Sequence, residues 1–209
     1  MRLQRPFETL APTLDGDVLL VLARAEASFT GGQLARLIPD ASEDGVRRAA
    51  QRLATQGIVL MEKVGQAHNY TLNRDHLLAD SVAAIAKARR RFEARIQDLV
   101  DTWDEQPEVL VLFGSAARGQ MRSDSDIDLF VVGEGAEPWE DQLIELELSV
   151  QRWTGNDARV LVMTPGEADS EIGSEPVLDD IVREGQVLWG PDGWLRQRRT
   201  GQRTTPADS

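Results

Sequence analysis

The chain has 209 residues, with 35 acidic and 23 basic side chains, a formal net charge of −12 and no cysteine. The lack of cysteine excludes disulfides and thiolate metal sites. No apolar run reaches the roughly 20 residues needed to cross a bilayer, and Met1-Arg2-Leu3-Gln4-Arg5-Pro6 lacks the apolar stretch of a secretion signal, so a cytoplasmic protein with no membrane partner is expected. The acidity is confined: residues 105–189 hold 5 basic and 19 acidic side chains, whereas residues 1–80 hold 9 and 10. Nucleic-acid binding depends on where positive charge gathers, so the global figure does not exclude DNA as a partner of the N-terminal half.

Residues 1–14 show no periodicity and are expected to be a loose arm. Residues 15–27 predict a helix on the spacing of Val18, Leu19, Leu22 and Ala23. Thr30 and Gln33 make a capping-box pattern that opens a second helix, and Ser42 caps a third over 43–56, which Gly57 ends. On that third helix Val46, Ala49, Ala50 and Leu53 share one face, and Arg47, Arg48, Gln51 and Arg52 fall on the other. Two strands, 58–64 and 69–72, follow around Gly65-Gln66-Ala67-His68 as a hairpin.

Three short helices and a hairpin resemble the winged helix-turn-helix regulators of bacteria, and His68-Asn69-Tyr70-Thr71-Leu72-Asn73 is similar to their wing exit. A recognition helix needs an outward face that donates to phosphates and base edges. Arg47, Arg48, Gln51 and Arg52, with Gln66 at the wing tip, are therefore the candidate residues for double-stranded DNA.

Residues 81–103 predict one long amphipathic helix linking two domains; its apolar stripe of Val82, Ile85, Phe92, Ile96, Leu99 and Trp103 would serve a homodimer or dock the helix on its own domain. Next comes an apolar strand, 109–113, then Gly114-Ser115, a short polar segment, and a second strand starting Asp126-Ile127-Asp128-Leu129. Alternation along a strand puts Asp126 and Asp128 on one face. Two adjacent carboxylates repel unless a cation lies between them, and hard oxygen ligands suit Mg²⁺ with phosphates completing its shell. Gly114 permits close backbone approach, and Ser115 adds a hydroxyl and an N–H suited to phosphate.

Gly114-Ser115, Ala117-Arg118-Gly119 and Ser125-Asp126-Ile127-Asp128-Leu129 resemble the signature of minimal nucleotidyltransferases, small relatives of the DNA polymerase beta superfamily. The resemblance implies Mg²⁺ at Asp126 and Asp128, which would also be the catalytic carboxylates, and a nucleoside triphosphate held by Gly114, Ser115, Arg118 and Ser125. Such enzymes carry a third carboxylate on the following strand. Here that strand, 159–163, reads Arg159-Val160-Leu161-Val162-Met163, and Leu161 is expected at the carboxylate's place, with Asp157 and Glu147 the nearest acids.

A helix opening at Glu137-Pro138 separates the two strands, on the spacing of Trp139, Leu143, Leu146, Val150 and Trp153. Helices over 165–172 and 177–184 and a short extended run at 186–189 follow. Residues 190–209 lack apolar periodicity and are expected to be disordered.

The expected fold class is α+β: a winged helix-turn-helix at 15–76, a linker helix at 77–104 and a nucleotidyltransferase-like mixed sheet with flanking helices at 105–189. The first functional expectation is a DNA-binding regulator whose second domain binds Mg²⁺-nucleotide or a protein partner without effective catalysis. The alternative is an active nucleotidyltransferase acting on a protein, RNA or small acceptor, which by resemblance would be the antitoxin of a toxin–antitoxin pair. The third is an adaptor with neither activity.

Overall fold

The computed structural model describes residues 1–134 and 139–202, with side chains to residue 199. The chain divides into two compact units, one of Arg2 and Gln4–Arg89, the other of Met1, Leu3 and the chain from Arg90 onward.

The first unit runs α1 (Leu14–Arg24), β1 (Phe29–Thr30), α2 (Gly31–Leu37), α3 (Glu43–Thr55), β2 (Val59–Val64), β3 (Ala67–Leu72) and α4 (Ala79–Ala86). The caps are those the sequence signals. Thr30 Oγ1 accepts from the Gln33 N–H at 3.2 Å while Gln33 Oε1 accepts from the Thr30 N–H at 2.7 Å. Ser42 Oγ accepts from the Gly45 N–H at 3.1 Å, satisfying donors that a helix start leaves without partners. The three strands are antiparallel in the order β1-β3-β2. Val46, Ala49, Ala50 and Leu53 of α3 pack with Val18 and Leu22 of α1 in one core.

Three expectations for this region need correction. Residues 1–14 are not a loose arm: Pro6–Thr9 forms a 3₁₀ turn, Leu3 and Phe7 are buried, and Arg5 pairs with Asp17 of α1 at 2.5 Å. Two isolated apolar residues suffice to anchor the segment, and they leave no periodicity to read. The hairpin turn is only Gly65-Gln66, since Val64 lies opposite Ala67; His68 is thus a strand residue facing Lys63, and Gln66 stays in the turn. The long linker helix is two helices, α4 and α5 (Ala88–Val100), broken at Lys87. Val82 and Ala86 belong to the core of the first unit, Phe92 and Ile96 to that of the second. Phe92 lies six positions after Ala86, which on a continuous helix would turn them to different faces.

The second unit continues from α5 with β4 (Val109–Phe113), α6 (Gly114–Ala117), β5 (Ile127–Val132), α7 (Glu140–Thr154), β6 (Ala158–Met163), α8 (Pro165–Glu171), α9 (Pro176–Glu184), β7 (Gln186–Trp189) and α10 (Trp194–Gln202). The expected opening of α7 at Glu137-Pro138 lies outside the described residues. The sheet order is β6-β5-β4-β7, with β5 and β6 parallel and the other pairs antiparallel. Both faces are covered, so the strands read as nearly unbroken apolar runs. On one face Leu112, Leu129 and Val131 pack with Ile96 of α5 and with Leu146 and Val150 of α7. On the other, Val111, Phe130 and Val132 pack with Leu178 and Ile181 of α9 and Trp194 of α10.

Helix α10 overturns the expectation of a disordered tail as far as Gln202; the chain beyond lies outside the described residues. Its anchor is again local rather than periodic. Trp194 and Leu195 are buried, and the indole N–H of Trp194 donates to Glu108 Oε1 at 2.6 Å. Arg198 lies 3.7 Å above the Trp194 ring and pairs with Asp169 at 2.7 Å.

Candidate nucleotide and metal site

The site forms where β4 ends and β5 begins. Phe113 lies opposite Asp128, so the chain leaving β4 turns directly over that carboxylate. It turns at Gly114, with φ at +66°. A Cβ there would overlap Asp128 Oδ2. Glycine is therefore required twice, for the left-handed backbone and for contact with the carboxylate.

The loop from α6 to β5 is tied down by backbone bonds. The Ser115 carbonyl accepts from the Gln120 N–H at 2.8 Å. Ser125 Oγ accepts from the Arg122 N–H at 2.8 Å, which holds the hydroxyl in the turn while its O–H donor can still face a phosphate oxygen. Asn156, buried between α7 and β6, donates from Nδ2 to the Ser125 carbonyl at 2.8 Å. Its Oδ1 accepts from the Met1 nitrogen, which also donates to the Thr154 carbonyl at 3.0 Å. Asn156 thus fixes the residue that delivers Asp126.

Asp126 and Asp128 project from the face that packs on α9, since Asp128 alternates with Phe130 and Val132. Burial pushes the Asp128 carboxyl above its ordinary range; Arg159 pulls it down, Asp126 adds to the rise, and Arg118 pulls down weakly. Arg118 is anchored at the rim by Glu184 Oε2 of α9 at 3.1 Å and Gln120 Oε1 at 3.3 Å. Glu184, which the sequence reading placed only in a helix, is held below its ordinary range by hydrogen bonds from Arg183 and Arg118.

The third strand differs from expectation. Asp128 lies opposite Arg159, and Leu161 lies one pleat further along, opposite Phe130. Leu161 is therefore not the residue beside the two aspartates; it packs with the α9 core. Arg159 takes that place and pairs with Asp126 at 2.6 Å. Alternation puts residues 159 and 161 on one face, but nothing in the sequence says which one meets Asp128. Neither nearest acid fills the gap. Asp157 Oδ1 accepts from Gln151 Nε2 of α7 at 2.8 Å, and Glu147 is on α7 itself, which packs on the opposite face of the sheet. Among the described residues no three His, Cys, Asp or Glu side chains form a metal-holding group.

The donor set still fits Mg²⁺ arriving with a triphosphate. That ion takes one or two carboxylates and fills its shell with water and phosphate oxygens. Asp126 and Asp128 supply hard oxygens, and the missing Cβ of Gly114 leaves the approach to Asp128 open.

The proposed DNA-contacting side chains lie on the first unit. Arg47, Arg48, Gln51 and Arg52 are all exposed on α3, and Gln66 is exposed in the hairpin turn. Three of them have partners already. Arg47 pairs with Asp44 at 2.7 Å, Arg48 Nε donates to the Asp44 carbonyl at 3.2 Å, and Arg52 pairs with Asp15 of α1 at 2.7 Å.

Residues 95–192 match the family described as Polymerase beta, Nucleotidyltransferase. The C-terminal unit is a nucleotidyltransferase-like domain. Solved structures show distant likeness to the chain, among them the following three. A toxin–antitoxin crystallised with AMP-PNP is 19% identical, with a TM-score of 0.39 over 54% of this chain and 84% of its own. A mutant of the toxin–antitoxin MntA-HpeT is 18% identical, with a TM-score of 0.38 over the same shares. TrmBL2, an archaeal chromatin protein described with a novel mode of DNA binding, is 15% identical, with a TM-score of 0.28 over 82% of this chain and 72% of its own. The comparison with curated proteins gave no match. No helix among the described residues is long and apolar enough to cross a membrane.

Proposed function

We propose that the nucleotidyltransferase-like domain binds a nucleoside triphosphate with Mg²⁺ at Asp126 and Asp128, and that it transfers the nucleotidyl group weakly or not at all. The observation that carries this is the half-buried Asp128 beneath Gly114, with Asp126 beside it and a guanidinium where a third carboxylate would stand. Asp126 and Asp128 would hold Mg²⁺, which would supply charge neutralisation at the phosphates. Ser115 and Arg118 border the space the phosphates would take. A general base contributes about 10²–10⁴-fold to such a reaction, and the strand residue opposite Asp128 is Arg159, so no third described acid stands there to act as one. Calorimetric titration with AMP-PNP and Mg²⁺ tests the site: the parent should bind, and Asp126→Asn with Asp128→Asn should not. Equal binding by the double variant would place the site elsewhere.

The N-terminal unit, in this proposal, is a winged helix that lays α3 against duplex DNA and makes the protein a regulator. Its support is an exposed helix face with three arginines followed at once by an exposed hairpin. A gel shift with DNA from upstream of the protein's own coding sequence tests this part, and the lack of any shift at low salt would refute it. The active-enzyme reading, with a toxin as acceptor, requires transfer by the parent. Incubation with labelled ATP and a candidate acceptor decides it.

A further inference from the structure

The Arg159–Asp126 pair is more than a filled gap. Two carboxylates on one strand face would leave a charge of −2 at the site, and the guanidinium halves it. Among the described residues Asp126 is the one ion-pair partner of Arg159. The Arg159 side chain is 75% exposed and that of Asp126 27%, so the arginine reaches in from solvent over a fixed acid. An exposed pair of this kind is held weakly and gives way to a stronger partner. Arginine also binds phosphate through paired N–H donors, a geometry that suits the incoming ligand.

We propose that Arg159 is an exchangeable counter-cation: it neutralises Asp126 in the free protein and moves to the phosphates when a metal-bound triphosphate enters. It is then a positioning residue with two opposite effects. Toward the metal alone it is a competitor, because the ion must displace it from Asp126. Toward the metal–triphosphate complex it is a ligand, because the displaced guanidinium finds the phosphates. Metal and nucleotide therefore bind with positive coupling, each favouring the other by the same factor. The proposal rests on the reading that Asp126 and Asp128 hold the metal.

The test is the affinity of the full chain for Mn²⁺, read from the free-ion paramagnetic resonance signal, without and with AMP-PNP. The proteins are the parent, Arg159→Gln and the Asp126→Asn/Asp128→Asn double variant, each checked for folding by thermal melting. Arg159→Gln should bind Mn²⁺ alone about tenfold more tightly than the parent and bind AMP-PNP in the presence of Mn²⁺ about tenfold more weakly, within the ordinary range of coupling. A general loss of structure would not move the two affinities in opposite directions. Unchanged Mn²⁺ affinity in Arg159→Gln, with binding lost in the double variant, would overturn the proposal and leave the site standing. A tighter metal with unaltered nucleotide affinity would overturn the transfer to phosphate. Binding retained by the double variant would overturn the site reading itself.

Discussion

Two arginine–aspartate pairs of nearly equal length have different consequences in this molecule. Arg52 and Asp15 join α3 to α1 at 2.7 Å, with a second bond from Nε at 3.3 Å. Each carboxylate oxygen has its own donor, and despite burial, which pushes it up, the Asp15 carboxyl is held below its ordinary range by Arg52. That pair is closed: the charges balance and the partners fix two helices. Arg159 and Asp126 are as close, at 2.6 Å, but a second carboxylate stands beside them, and burial pushes that one up. One guanidinium faces two acids, so the excess charge remains available to a cation. The lesson is that an ion pair marks a site only when its surroundings leave it unbalanced.

The largest effect expected is from Gly114→Ala. A left-handed alanine costs about 1–2 kcal/mol, and the new methyl would also displace the Asp128 carboxylate. A total loss of about 2–4 kcal/mol is expected in urea unfolding, with loss of nucleotide binding. An alanine variant that unfolds like the parent and still binds AMP-PNP would show that the turn does not shape the site.

A second break concerns α3. Arg47→Ala with Arg48→Ala removes two exposed guanidiniums whose present partner is Asp44. DNA affinity should fall, and the logarithmic salt slope should flatten by about 2 if both contact phosphate. The same slope in the folded double variant would remove α3 from the interface. Arg52 is left out because its removal also opens the α1–α3 contact.

Asp128→Asn sharpens the contrast with Asp15. The folded-state value of Asp128 lies above its unfolded value, so the parent loses stability as pH rises from the ordinary carboxylate range through the folded value. In a chelating buffer the asparagine variant should melt above the parent at pH 7, and the gap should close on acidification. The smallest effect is the mirror image. Asp15 is depressed, so its contribution is present above the ordinary carboxylate range and lost as pH falls through the folded value. Arg52→Ala should melt slightly below the parent at pH 7, with the difference fading in acid. Melting curves at a series of pH values check both signs.

The legible parts of the chain were those with local signals. The caps at Thr30 and Ser42 and the apolar faces of α1 and α3 are written in residues three and four apart. Gly114 and the Asp126–Asp128 alternation likewise announce their geometry within a few positions. What stayed hidden depends on residues far apart in sequence. Arg159 meets Asp128 through the register of two strands separated by all of α7, and a shift of two residues would have put Leu161 there instead. Asn156 is important because of the Ser125 carbonyl, 31 positions earlier. Leu3, Trp194 and Leu195 are single anchors in segments without period. The break at Lys87 arises because its two flanking helices serve different cores.

The central claim is that Asp126 and Asp128, under Gly114, hold a metal-bound triphosphate. Paramagnetic broadening of backbone amide signals by Mn²⁺ with AMP-PNP tests it most directly. The amides of Gly114, Ser115, Ile127 and Asp128 should broaden first, and those of α7, on the opposite face of the sheet, only at higher Mn²⁺ occupancy. Broadening centred anywhere else, with the β4–β5 junction unaffected, would contradict it.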